Sequence, residues 1–324
     1  MPQGSVLGPL LFLIYINDLP NISEVLNFYL FADDTNIYYE ADSMKKLESV
    51  INKELKKLYI WLIVNRLSLN IDKTNFIVFH PYNKPVLEQI TLKIHKKAIA
   101  EKDHIKYLGV MIDSTLTWKS HIDKVSKSIS IAIGLLYKIR PFVNQKILKM
   151  LYYSLIYPHL IYAVEVWGSA DITYLERISV LQKRIVRMLT FSDRREDDFS
   201  FPSSTPLFCK LEILKIQDIF KLKIAKFIYF CLKKITPINF HTWFKLTSQV
   251  HSYNTRSKFI NVTDSITTYN LFIPTARTTH YGLKKIKVKG PKIWNDFPPL
   301  IRIIKTYACF INALKTHLIG LYKN

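Results

Sequence analysis

Cysteine is scarce in this chain: Cys209, Cys231 and Cys309 are the only three in 324 residues, and they lie far apart. No CxxC pair or zinc-type spacing is present, so neither a disulfide framework nor a structural zinc is expected. That usage predicts a reducing, intracellular compartment, nuclear or cytoplasmic left open. The nine histidines show no metal-ligand spacing with one another or with cysteine. Acidic residues are also few. There are 25 Asp and Glu against 46 Lys and Arg, a formal net charge of +21 and a pI near 9.7. The excess points to a polyanionic partner, most simply nucleic acid; a basic solvated surface and a membrane surface are the rivals. Long uninterrupted apolar runs are absent. Residues 6–16 are too short to span, follow no basic stretch and contain Gly8 and Pro9; residues 151–167 hold Pro158, His159 and Glu165. Neither fits a signal peptide or a membrane span, and no membrane partner is expected. There is no internal repeat and no low-complexity tract.

Against those absences stands a hydrophobic content of 49%, ample for a core, in a chain long enough for two or three compact units. The most informative stretch is Leu30-Phe31-Ala32-Asp33-Asp34-Thr35-Asn36-Ile37-Tyr38-Tyr39, an adjacent carboxylate pair between apolar flanks. Residues 30–32 and 37–39 read as two strands and residues 33–36 as the turn between them. Two carboxylates at a hairpin tip repel each other and call for a cation, and hard oxygen donors suit magnesium. The simpler alternative is that Asp-Asp is ordinary turn chemistry.

Elsewhere the pattern is helix and short strand. Ser5 is placed to cap a helix running to about Leu19, with Leu7, Leu10, Leu11, Ile14 and Tyr15 as its apolar face. A second helix spans about 43–65, with Met44, Leu47, Ile51, Leu55, Leu58 and Leu62 on one side and Lys45, Lys46, Lys53, Lys56 and Lys57 on the other. Residues 76–79, 92–94 and 105–112 read as strands. Beyond Trp118 the strand signal fades: helices are predicted over 119–139, over 144–166 with a kink at Pro158, and over 172–190. Residues 192–206, charged and rich in Ser and Pro, read as a linker. A helical pair to about Lys234 follows, and a last helix covers about 306–318. Residues 237–306 are mixed; within them Lys284, Lys285, Lys287, Lys289 and Lys292 interleave with Ile286, Val288 and Ile293, as in an edge strand defended by lysines or a nucleic-acid contact.

Several motifs in order carry a family resemblance: Pro2-Gln3-Gly4-Ser5-Val6-Leu7-Gly8-Pro9, then Tyr15-Ile16-Asn17-Asp18-Leu19, Phe31-Ala32-Asp33-Asp34, Asn65-Arg66-Leu67-Ser68-Leu69-Asn70 with Lys73-Thr74, and Tyr107-Leu108-Gly109-Val110. In this order and spacing they resemble the later palm motifs of reverse transcriptases from retrotransposons lacking long terminal repeats. The resemblance covers residues 1 to about 190 well and the rest more loosely. It implies an α+β fold: the C-terminal half of a palm over 1–115, a helical thumb-like region over 116–190, a linker over 191–205 and a basic, mainly helical region over 206–324.

The resemblance also implies roles. Asp33 is the main metal ligand of its motif and Asp34 the supporting one, with Mg2+ as the expected ion. Lys73 stands near the leaving pyrophosphate as cation or proton donor, or is simply solvated. Gln3 and Gly4 match the loop beneath the nascent base pair, or an ordinary turn before a helix. Phe31 packs near the primer end, or in the core. Tyr107, Leu108 and Gly109 match the hairpin that grips the primer, or an edge hairpin of the palm. Arg177, Arg184 and Arg187 fall along one side of the 172–190 helix, placed for duplex phosphates or for solvent. The implied partners are an RNA template and a DNA primer. The family's further metal-binding aspartate belongs to a motif upstream of the Pro-Gln-Gly loop, and Asp18, Asp42 and Asp72 do not stand in that motif. Met1 fits the apolar slot before that loop, as an internal methionine would. The expectation is therefore a truncated RNA-directed DNA polymerase, inactive alone, with a non-catalytic nucleic-acid-binding remnant as the alternative.

Overall fold

In the first helix, α1 (Leu7–Ile16), the chain turns helical at Val6, whose backbone is already in the right-handed region and serves as the N-cap. Ser5 therefore does not cap it, and the expected extent to Leu19 shortens, residues 19–22 forming a separate 3-10 turn. The computed structural model describes residues 4–84, 88–192, 203–250, 270–278 and 281–323. They divide into two units, 1–116 and 117–324.

In the first unit the apolar face expected for α1 is not a core face. Leu7, Leu10, Leu11, Ile14 and Tyr15 are exposed, and only Ile16 is buried. The helix is apolar on every side, so its sequence contains no direction for burial. Helix α2 (Met44–Val64) behaves as its periodicity predicts. Ser43 accepts a bond from the Lys46 amide and caps it. Leu55 and Leu58 bury against Ile16, Leu19, Ile90, Leu92, Ile94 and Ile99, while its lysines face outward.

The strands are short and paired two by two. β1 (Asn27–Phe31) and β2 (Asp34–Tyr38) form an antiparallel hairpin. β3 (Asn75–Phe76) lies parallel to β6 (Ala100–Glu101), so the strand expected over 76–79 shrinks to its beginning. β4 (Lys93–Ile94) pairs with β5 (Lys97–Ala98), and β7 (His104–Tyr107) with β8 (Val110–Asp113). An α+β class describes this unit.

Among the described residues the second unit is helical, apart from an isolated bridge between Leu246 and Leu271. α3 (Lys119–Ile139) buries Ile122, Val125, Ile129, Ile133 and Leu136, the face its spacing predicts. The helix expected over 144–166 is three pieces: α4 (Gln145–Leu155), α5 (Tyr157–Ile161) and α6 (Val164–Trp167). Pro158 cannot supply an amide to the ladder, and Ala163 adopts a left-handed φ of 50°. The buried stripe survives both breaks: Tyr152, Ile156, Leu160, Val164 and Trp167 are all at most 1% exposed. No helix among the described residues is long and apolar enough to cross a membrane.

α7 (Ile172–Leu189) packs along α3. Most of the expected linker, residues 193–202, lies outside the described residues. α8 (Thr205–Leu211) and α9 (Ile216–Leu232) follow, then the single turn α10 (Thr247–Val250). The lysine-interleaved stretch is helix α11 (Ile286–Asp296), not an edge strand. Val288, Ile293 and Trp294 bury together with Gly290, and a Cβ at Gly290 would stand 3.3 Å from Ile228 of α9 and 3.2 Å from Phe244. Close helix packing outweighs the alternating pattern here. α12 (Pro299–Arg302) and α13 (Tyr307–Gly320) close the unit.

Candidate functional site

The carboxylate hairpin is tighter than its sequence suggests. Asp34 is the first residue of β2, directly opposite Phe31, so only Ala32 and Asp33 form the loop. Ala32 takes φ 50°, the positive value that two-residue hairpin turns require at their first position. The expected four-residue turn over 33–36 thus becomes strand from Asp34 onward. Phe28 and Leu30 point into the unit's core, while Tyr29 and Phe31 face outward, Phe31 being 60% exposed. That alternation lifts Phe31 out of the core, and Asp33 and Asp34 are exposed beside it.

These carboxylates are hard oxygen donors of the kind that divalent magnesium prefers. They fit as part of a ligand set: among the described residues no three His, Cys, Asp or Glu side chains gather to hold an ion.

The other candidates of this unit lie on separate elements. Gly4 has φ +90° with nothing within 4 Å of a notional Cβ, so glycine serves the backbone turn there and not a close packing contact. Gln3 lies outside the described residues. Lys73 is exposed in a turn held by Asn70, whose side-chain oxygen accepts from the Lys73 amide at 3.2 Å and whose carbonyl accepts from the Thr74 hydroxyl at 2.9 Å. Tyr107, Leu108 and Gly109 are the end of β7 and its turn. Leu108 at φ 42° and Gly109 at φ 85° give two consecutive positive values, the mark of a type I′ hairpin turn.

In the second unit the arginines of α7 have neighbours that the sequence did not reveal. Arg177 is paired with Asp123 of α3. The Arg184 guanidinium lies over the Tyr137 ring, 5.3 Å from its centre, and Arg140 stands 4.4 Å over Phe191. Arg187 is half-buried on the same helix. Asp123 and Tyr137 were visible as residues of the 119–139 helix, but no local signal marks a partner on another helix.

Charge separates the two units. Residues 1–116 hold 13 basic and 13 acidic side chains, whereas residues 117–324 hold 33 and 12. The whole net charge of +21 thus belongs to the helical unit.

Residues 1–112 match the family described as reverse transcriptase (RNA-dependent DNA polymerase). Among curated proteins, the chain is 25% identical over 228 residues to the RNA-directed DNA polymerase from mobile element jockey of Drosophila funebris, covering 67% of this chain and 24% of that protein. It is 27% identical over 206 residues to the probable RNA-directed DNA polymerase from transposon BS of Drosophila melanogaster, covering 59% and 22%. A Pol polyprotein from a type-1 retrotransposable element R1 of Nasonia vitripennis is 27% identical over 138 residues, covering 40% and 33%. The chain thus spans about a quarter of the length of the first of these relatives. No solved structure matches. With the match over residues 1–112, and relatives that reach well past it, the chain is a relative of the reverse transcriptases of retrotransposons that lack long terminal repeats.

Proposed function

We propose that this chain contributes the second half of a palm and a duplex-binding helical unit to an RNA-directed DNA polymerase. The observation that carries it is the two-residue turn, which sets Asp33 at the hairpin tip with Asp34 beside it. In this proposal Asp33 and Asp34 hold magnesium together with a carboxylate from an earlier motif. Bound magnesium would supply charge stabilisation to the attacking and leaving oxygens of nucleotidyl transfer. The chain's own residues bind and orient. Phe31 faces outward on the hairpin, where it can pack near the primer end. Gln3 and Gly4 support the base pair, and residues 107–109 grip the primer. Lys73 meets the pyrophosphate, and Arg177, Arg184 and Arg187 meet backbone phosphates. The partners are an RNA template and a DNA primer.

Nucleic-acid binding without polymerisation is a second reading. It is favoured by the location of the entire charge excess in 117–324. Primer extension separates the two. Purified chain is given magnesium, primed RNA template and deoxynucleotides, beside an Asp33→Ala control. Extension above the control supports polymerisation by this chain; binding without extension supports the second reading. In a polymerase carrying the whole palm, Asp33→Ala is expected to abolish extension and Asp34→Ala to reduce it less. Wild-type extension by the Asp33 variant would end the metal assignment.

A further inference from the structure

Helix α11 carries the half-buried Lys289 and the exposed Lys292, and the exposed Lys285 is its N-cap. Lys285, Lys289 and Lys292 are spaced at i, i+4 and i+7, so they fall on one face and span about 10 Å of axis. The opposite side, with Val288, Gly290, Pro291, Ile293 and Trp294, is buried. The Lys289 ammonium lies 4.9 Å over the Phe220 ring of α9, and Lys223 is three residues along from Phe220 on that helix. Lys284 adjoins it, donating to Asp171 at 2.7 Å. Burial and the nearby Lys284 hold the Lys289 ammonium below its ordinary range, against the pull of Asp171. The acids around the patch are Asp171, Glu165 at 4.0 Å from Lys223, and Asp296 at the helix end. Lys285 and Lys292 are exposed and form no ion pair with an acid among the described residues.

We infer that the α9–α11 lysine surface is a second nucleic-acid contact, separate from the arginine side of α7, which holds the phosphate backbone without reading bases. The inference rests on the proposed nucleic-acid binding of the chain and assigns it a place. A row of ammonium groups on a rigid helix, in a unit with 33 basic and 12 acidic residues, suits a repeating array of phosphates. One strand of duplex places about three phosphates along the length of the stripe, at 3.4 Å of axis each. Lysines act there as point charges, with none of the forked geometry by which arginine fits a guanine edge.

The test measures anisotropy of a short labelled RNA–DNA hybrid with the full chain across a salt series. The triple change Lys285→Gln, Lys289→Gln and Lys292→Gln is expected to flatten the log–log slope by about 2 to 3, and the corresponding Lys→Arg triple to leave it steep. Lys287→Gln is the control, because Lys287 lies 4.6 Å over the Trp243 ring and off the stripe; it is expected to change the slope by less. An unchanged slope in a Gln triple that circular dichroism shows to be folded overturns the contact while leaving nucleic-acid binding standing. A wild-type chain that does not bind the hybrid overturns both. If the Gln triple loses binding to anionic lipid vesicles but keeps its hybrid slope, the surface belongs to a membrane and the inference is wrong.

Discussion

Arg177 on α7 donates to the carboxylate of Asp123 on α3, a residue 54 positions earlier in the chain. Both side chains are about half exposed, at 52% and 45%, so the pair adds no more than about 1 kcal/mol to stability. It does occupy an arginine that the proposed duplex interface needs. Asp123→Asn is therefore expected to raise duplex affinity and steepen the salt slope by up to about 1, with stability almost unchanged. Weaker binding in the folded Asn variant, followed by anisotropy, would mean that Arg177 has no phosphate contact.

Changing Arg177, Arg184 and Arg187 together to Ala is expected to flatten the same slope by up to about 3. Arg184 lies on Tyr137, so some loss of packing accompanies the loss of charge. Circular dichroism separates the two effects. An unchanged slope in the folded variant would mean that these arginines contact no phosphate.

His121 is 3% exposed at the start of α3, its ring tilted against Trp167 at 5.4 Å. Burial, with Lys124 nearby, pushes its pKa from 6.5 down to about 4. The neutral ring is the form the fold favours, so its contribution is fully present above about pH 6.5. It is lost as pH falls toward 4, because the unfolded chain takes up the proton first. Melting temperature is expected to decline across that window, and His121→Leu to shrink the decline. Parallel curves for the two proteins would refute the assignment.

The Tyr322 hydroxyl donates to Asp218 Oδ2 at 2.6 Å and accepts from the Lys215 amide at 3.0 Å, tying the chain after α13 to the start of α9. Asp218 is 7% exposed and, among the described residues, keeps Lys221 as its side-chain partner if that hydroxyl is removed. Tyr322→Phe is expected to cost about 1 to 3 kcal/mol in urea unfolding. A loss below a few tenths would mean that water replaces the hydroxyl.

Two glycines are expected to respond in opposite directions to alanine. A Cβ at Gly168 would stand 2.5 Å from the Phe220 ring and 2.6 Å from the Val164 carbonyl, so Gly168→Ala should destabilise by about 1 to 3 kcal/mol. Gly134, exposed inside α3, has nothing within 4 Å of that position. Gly134→Ala should stabilise by up to about 1 kcal/mol. Thermal melts of both variants check the pair, and equal shifts would contradict the packing described at Gly168.

What the sequence determined by itself was local. The 3.6-residue periodicity of residues 44–64, 119–139 and 172–189 placed those helices and their buried sides, because helical phase depends on neighbours three and four positions away. A hairpin around Asp33 was legible from its turn residues, though its loop is Ala32-Asp33 and not residues 33–36, and the motif order pointed to the family and to the hairpin at Leu108-Gly109. Contacts distant along the chain decided the rest. Packing against α9 made residues 286–296 a helix despite their alternation. The kink expected at Pro158 became one break, and a left-handed Ala163 added a second that the sequence did not mark. The all-round apolar character of α1 left no periodicity from which to choose its single buried residue, Ile16. Asp123 met Arg177 because two helices lie side by side, a proximity that spacing within either helix does not encode.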